Sequence, residues 1–223
     1  MTGRPIKARL IDRAARFGAR LGQDRSGLAL LEFAFTLPIL LLMTLTGAEL
    51  TNYITTKMRI SQLALHLADD ASRMGSGSQL AAKTITETDI NDLFVGANLQ
   101  SGELSLNTKG RVTLIDLEPV ANPNTTNKYK IGWTRCYGGK TTHVSPYRTP
   151  TTNLDGIGPT GRQVTAQDDN ATMFVEVYYE YTPLVGGTLA PTTSFTEIAS
   201  MSVRDRRDLS NIYNSNGAPV ASC

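Results

Sequence analysis

Glu32 is the one ionisable side chain between Ser26 and Ala48, inside the run Leu28–Ala48, LALLEFAFTLPILLLMTLTGA. A carboxylate in a lipid-spanning helix costs about 2–3 kcal/mol even on lenient insertion scales. One substitution would remove it, so its charge is expected to have a partner. Other reactive side chains are sparse. The chain has two cysteines, Cys136 and Cys223, and two histidines, His66 and His143. That is too few for an internal zinc cage or for a His-based triad with a metal. Asp168-Asp169 and Glu176/Glu180 are adjacent and alternating acids, the pattern of a solvated face. Arg204, Arg206 and Arg207 read as a soluble strand edge, with contact to an acidic neighbouring subunit as the alternative. Asn124-Thr-Thr and Asn170-Ala-Thr fit glycosylation strings that also arise by chance. Phosphate-cradling glycine loops, His-Glu-x-x-His and Gly-x-Ser-x-Gly are all missing from the sequence. No catalytic residue, cofactor or metal is expected.

The element carrying Glu32 is 21 residues long. At about 1.5 Å per residue it gives roughly 31 Å of helix, the thickness of a bilayer's hydrocarbon core. Seven basic side chains precede it (Arg4, Lys7, Arg9, Arg13, Arg16, Arg20, Arg25) against Asp12 and Asp24; the remainder holds 15 basic and 18 acidic residues. A basic tail before the span and a mildly acidic body after it place the N-terminus in the cytoplasm and export the body. That distribution is also unlike a nucleic-acid-binding domain. A cleaved secretory signal is the first alternative, with Thr46-Gly47-Ala48 as a small-residue site, although its apolar region should be shorter and uncharged. A plain anchor is the second. Neither accounts for Glu32.

Ser26-Gly27-Leu28-Ala29-Leu30-Leu31-Glu32-Phe33 resembles the class III signal of type IV pilin-like proteins. The continuation Glu-Phe-Ala-Phe-Thr-Leu-Pro-Ile-Leu is most similar to TadE-like minor pilins (pseudopilins) of tight-adherence pilus systems. The resemblance implies that a prepilin peptidase cuts between Gly27 and Leu28. Glu32 then falls at the fifth mature position and the aromatic Phe33 at the sixth. Glycine would offer an extended, unencumbered bond at the membrane's cytoplasmic edge. In such systems the fifth-place carboxylate pairs with the new amino terminus of a neighbouring subunit. Pairing offsets much of the cost of two charges in an apolar filament core. Pro38 lacks an amide hydrogen and crowds the Ala34 carbonyl, so a kink or local melting is expected there, or mere tolerance within the membrane.

Beyond Ala48, Leu50, Tyr53, Ile54, Met58, Ile60, Leu63, Ala64, Leu67, Ala68, Ala71 and Met74 follow helical spacing. Asp69 and Arg73 sit four apart, and Gly75-Ser76-Gly77-Ser78 ends the helix. A rod over 28–74 would run roughly 70 Å, its second half a stalk on which a head rests. Residues 79–100 read as one or two short helices, with Thr86 or Thr88 as a cap. Alternation at Leu104 and Leu106, the turn Asn107–Gly110 and the stretch Val112–Leu117 predict a hairpin. Tyr129–Trp133, Phe174–Tyr181 and Phe195–Val203 predict further strands, with an irregular loop over 138–170 and a turn at Asp155-Gly156. Glu176-Val-Tyr-Tyr-Glu-Tyr-Thr-Pro-Leu184 and Val203-Arg-Asp-Arg-Arg207 are weakly similar to TadE-like stretches, with Asp205 where a proline would stand. In an oxidising compartment Cys136 and Cys223 default to a disulfide that ties the tail after Arg207 to the third strand; two separate thiols are the alternative. Cys136, next to Arg135, has no histidine near it in sequence to make it reactive.

The expected fold class is therefore α+β: a long N-terminal helix, half membrane-spanning and half amphipathic, packed on a small antiparallel sheet. The expected organisation is a leader over 1–27, an apolar helix over 28–48, a stalk over 49–74 and an exported head over 79–223. The expected function is that of a minor pilin-like structural subunit of a tight-adherence pilus. It would sit first in the inner membrane as a single span and, after processing, on the cell surface. Implied partners are the prepilin peptidase, other pilin and minor pilin subunits, the inner-membrane assembly platform and membrane lipid, with no nucleic acid. The alternatives are an unprocessed, membrane-anchored extracytoplasmic binding or sensor domain, and a secreted hydrolase with an unrecognised site.

Overall fold

The computed structural model describes residues 16–20, 22, 26–78, 81–186 and 189–223. Most of the basic leader expected over 1–27, and residues 79–80 at the start of the expected head, lie outside that set. The chain forms two compact units, Met1–Ala48 and Glu49–Cys223.

Helix α1, Ser26–Arg73, contributes to both units. It passes through Pro38 without interruption, so the local melting expected there is not seen. Leu, Ala, Met and Phe favour helix all round over 28–48, and every side chain from Gly27 to Leu45 is exposed. Thr36 and Thr44 turn their hydroxyls back onto the helix, donating to Glu32 O at 2.9 Å and Leu40 O at 2.9 Å. Such back-bonding satisfies a hydroxyl that has no water to meet.

In the second unit the C-terminal part of α1 is amphipathic. Tyr53, Ile60, Leu63, Ala64, Leu67, Ala68, Ala71 and Met74 are buried in the main core. Ala64, Ala68 and Ala71 lie against it with no exposed surface, which lets backbone and sheet approach closely. Leu50, Ile54 and Met58, expected in the same stripe, are exposed instead. Spaced four apart, they fall on the neighbouring face of the helix. Gly75 closes the helix at φ +109°, where an added Cβ would stand 2.8 Å from Thr84 O. Only glycine fits there.

Strand β1, Lys83–Thr86, leads into α2, Glu87–Ser101. Thr86 is the cap: its Oγ1 accepts from Asp89 N at 3.1 Å while Asp89 Oδ2 accepts from Thr86 N at 2.8 Å. This reciprocal box satisfies two otherwise orphaned amides. A 3-10 turn, Gly102–Leu104, and the short helix α3, Leu106–Lys109, follow. The strand expected at Leu104–Leu106 is thus helical, with Leu106 fully buried. Two alternating leucines are too short a run to separate period two from a helical turn.

The main sheet consists of β2 (Gly110–Pro119), β3 (Tyr129–Tyr137), β4 (Thr172–Glu180) and β5 (Ser194–Ser202), in the order β3-β2-β4-β5. All its pairs are antiparallel. The strand β2 is central and buried along its whole length. Leu114, Val175 and Val177 face α1 and α2, including Ile90, Phe94 and Ala97. On the opposite face Ile115, Leu117, Ile131 and Phe174 are covered by Ile157 and Ala166 from the irregular 138–170 segment. That segment and the C-terminal tail also close the outer edge of β3. Tyr129 N donates to Leu154 O, Ile131 N to Thr151 O and Cys136 N to Ala221 O, each at 2.8 Å.

A second, two-stranded sheet pairs β1 in parallel with β6, Arg207–Tyr213. Neither strand is expected from the sequence, in which the chain after Arg207 reads as a loose tail. The molecule is α+β, with a long N-terminal helix and a small antiparallel sheet.

Candidate functional site

Gly27 and Leu28 lie in the first turn of α1, in helical rather than extended conformation. The first four amides of a helix have no partner within it, so this turn opens at little cost. A Cβ at Gly27 would meet nothing within 4 Å. The fold therefore places no demand on glycine there. Leu28, Glu32 and Phe33 are exposed; Glu32 engages the described chain through its backbone carbonyl, which accepts from Thr36. Leu28, Leu31, Phe33, Phe35, Ile39, Leu42 and Met43 expose their side chains around the whole helix. Among the described residues one helix is long and apolar enough to cross a membrane. Its apolar half carries an isolated acid five residues after a glycine.

Residues 27–75 match the family of TadE-like proteins. Comparison with curated proteins and with solved structures gives no match. The TadE-like segment ends at Gly75, the residue whose left-handed geometry terminates α1. It therefore covers the helix and none of the sheet.

The TadE-like segment also contains a carboxylate that sequence reasoning missed. Glu49 is fully buried at the edge of the second unit. Its Oε1 accepts from Tyr181 Oη at 2.6 Å, and its Oε2 accepts from Leu184 N and Val185 N at 2.8 Å each. Burial, and after it the Glu49 carboxylate, push the Tyr181 phenol up, so the hydroxyl keeps its proton and donates. Asn52 Nδ2 donates to the same oxygen at 2.7 Å. The Tyr181 ring stands edge-on to Tyr53, with centroids 5.3 Å apart. Glu49, Asn52 and Tyr53 share one helix face by their i, i+3, i+4 spacing. The single sequence cue was that Glu49 is the first acid after the apolar run; its partners lie more than 130 residues away.

A second cluster lies at the other end of the stalk. Arg207, expected on a soluble edge, is 7% exposed. Its Nη2 donates to Ala71 O at 2.9 Å and Met74 O at 2.8 Å. These are carbonyls at the C-terminus of α1, where no further helical amide follows and the dipole favours a cation. The chain needs this because β6 runs beside β1, immediately past the helix end. Arg204 donates to Asp69 at 2.6 Å and Lys83 to Asp205 at 2.6 Å, so Asp205 faces β1. Asp69 also pairs with Arg73, at the spacing read from the sequence.

Asp116, on β2, is completely buried within reach of the Arg207 charge. Burial, and then the neighbouring Glu118 carboxylate, hold its carboxyl well above the usual aspartate range, against the pull of Arg207 and Lys130. Glu118 accepts from Lys130 at 2.9 Å. Gly132 leaves room for both acids, since a Cβ there would stand 2.5 Å from Glu118 Oε1 and 2.8 Å from Asp116 Oδ2. With a raised native value, the stability due to Asp116 is present below the unfolded aspartate range and lost as pH rises through the native value. Asp116→Asn should therefore remove a decline in stability that sets in as pH rises above the unfolded aspartate range, measured as denaturation midpoint against pH. A decline unchanged in the variant would contradict this.

Cys136 and Cys223 form a disulfide. His66 lines an open cleft of about 610 Å³ with Arg59, Gln62 and Glu103. His143 stacks on Tyr178 at 4.1 Å and sets Nε2 3.0 Å from Glu176 Oε1. Glu176 is buried, not part of a solvated face, while Glu180 pairs with Lys140. Of the glycosylation strings, Asn170 donates its amide to Val203 O at 2.8 Å. No group of three or more His, Cys, Asp or Glu side chains that could hold a metal occurs among the described residues.

Proposed function

We propose that this chain is a minor pilin-like structural subunit of a tight-adherence pilus. In this reading it is inserted with its N-terminus in the cytoplasm and cut after Gly27 by a prepilin peptidase. It is then assembled with other pilin subunits by the inner-membrane platform. The observation that carries the reading is the TadE-like match over 27–75, coinciding with a helix whose first half exposes apolar side chains all round. Such a surface is at home in lipid or in a bundle of like helices and nowhere else. Glu32 is then the group that would pair with the amino terminus created at Leu28, and Phe33 the aromatic packed beside it. The basic leader would hold the precursor in orientation until it is cut away.

The mass of the native chain tests this. Processing predicts the loss of residues 1–27, and Gly27→Leu should leave an uncut precursor. Because an added side chain at Gly27 meets nothing within 4 Å, that block would report on the peptidase and not on misfolding. In the same experiment Glu32→Ala should be cut normally yet appear in sheared pili at a small fraction of the wild-type amount. Incorporation at wild-type level would refute the pairing role. An intact N-terminus in the native protein would favour an unprocessed, anchored binding or sensor domain.

A further inference from the structure

The Glu49 carboxylate holds more than its helix. It fixes the backbone of Leu184 and Val185 by two hydrogen bonds at 2.8 Å, and Tyr181 by a third at 2.6 Å. The side chains so placed are apolar and face outward: Leu184 is 65% exposed and Val185 40%. From Thr182 to Thr196 the sequence contains no Asp, Glu, Lys, Arg or His. No charged side chain of that stretch would have to be desolvated on entering apolar surroundings. At the base of the loop Lys109 Nζ donates to the Thr182 hydroxyl at 3.0 Å, a neutral partner. Leu50 and Ile54, on the turns just after Glu49, are also exposed.

Residue 49 follows residue 48 directly. If residues 28–48 fill the hydrocarbon core, Glu49 stands at its outer boundary, and whatever is bonded to Glu49 stands there too. We infer that the loop 182–186 seats in the outer interface of the phospholipid bilayer, with Leu184 and Val185 dipping below the headgroups and the Glu49 carboxylate as its tether. The inference rests on the membrane-spanning reading of 28–48 and adds a second lipid contact to it. A buried carboxylate with three donors is well suited to the place. It consumes two loop amides that would otherwise face the interface unpaired, which lets the aliphatic tips enter apolar surroundings without exposing backbone. Lys109 would stand at the depth of the lipid phosphates, with its aliphatic stem along the loop.

The experiment uses the full, uncut chain in phosphatidylcholine–phosphatidylglycerol vesicles whose acyl chains are brominated near the headgroup. The one native tryptophan is first removed by Trp133→Phe. Single tryptophans then replace Leu184, Leu41 within the span, and Val144, an exposed aliphatic in the 138–170 segment. The expected result is blue-shifted emission and loss of emission by bromine at 184 and 41, with neither at 144. Adding Glu49→Gln should weaken quenching at 184 and leave 41 unchanged. Quenching at 41 but no more at 184 than at 144 overturns the inference and leaves the span intact. A blue shift at 184 without bromine quenching also overturns it, by placing the loop against protein. No quenching at 41 overturns the spanning reading itself.

Discussion

Arg207→Leu should destabilise the head by about 3–5 kcal/mol, because a buried cation is lost while its partners stay buried. Two carbonyls at the end of α1, Ala71 O and Met74 O, lose their donor. The cation that opposes the upward shift of Asp116 goes as well. Arg207→Lys should retain part of the stability, since one ammonium can serve a helix end but lacks the planar fork. Combining Arg207→Leu with Asp116→Asn should recover some of the loss, the coupling expected of charges that sense each other. Urea unfolding of the full chain in detergent, followed by tryptophan fluorescence, measures all three. A Leu variant within about 0.5 kcal/mol of wild type, the range of an ordinary surface substitution, would mean that the buried arginine is only spatial filler.

Removing the Cys136–Cys223 disulfide should have a comparable effect. The cross-link closes a separation of 87 residues, for which chain entropy gives roughly 4–5 kcal/mol. The double Cys→Ala variant should unfold about 10–15 °C lower, given the size of the head. Reductant should bring the wild type to the same midpoint and leave the variant unchanged. Two tail contacts remain after reduction, Cys136 N to Ala221 O and Asn91 Nδ2 to Pro219 O, both at 2.8 Å. They bond backbone groups without constraining the unfolded chain, so they do not replace the bridge. A midpoint unmoved by reductant would show that the bridge adds nothing to those contacts.

The α+β class was legible because its strongest signals are long. The apolar stretch around Glu32 is long enough to read as one membrane-length helix, and the alternation from Phe174 to Tyr181 has both faces written in it: Val175 and Val177 in one core, Phe174 in the other. What was hidden depends on partners far along the chain. Lys83–Thr86 is four residues long and becomes a strand only because β6 arrives beside it from about 120 residues away. Arg207 looks like a solvated edge in Val203-Arg-Asp-Arg-Arg207, and nothing local shows that a helix ends against it. Glu176 likewise appears as one of two alternating acids until His143, from the irregular segment, is laid over it. The candidate cleavage residues Gly27 and Leu28 and the candidate assembly residues Glu32 and Phe33 fall within seven positions, so the resemblance they carry is local to the sequence. The Glu49 tether joins a helix to a loop, and sequence spacing carries no record of that meeting.

The two rims of the main sheet are not equivalent. The β3 rim is already occupied by Leu154, Thr151 and Ala221, whereas β5 is a terminal strand with β4 as its sole sheet neighbour. A strand donated by another chain would find a vacancy on one flank alone. Within the main sheet, backbone pairing of this kind ends at two molecules, since that sheet offers a single open flank. The main sheet is thereby protected from open-ended, edge-to-edge polymerisation.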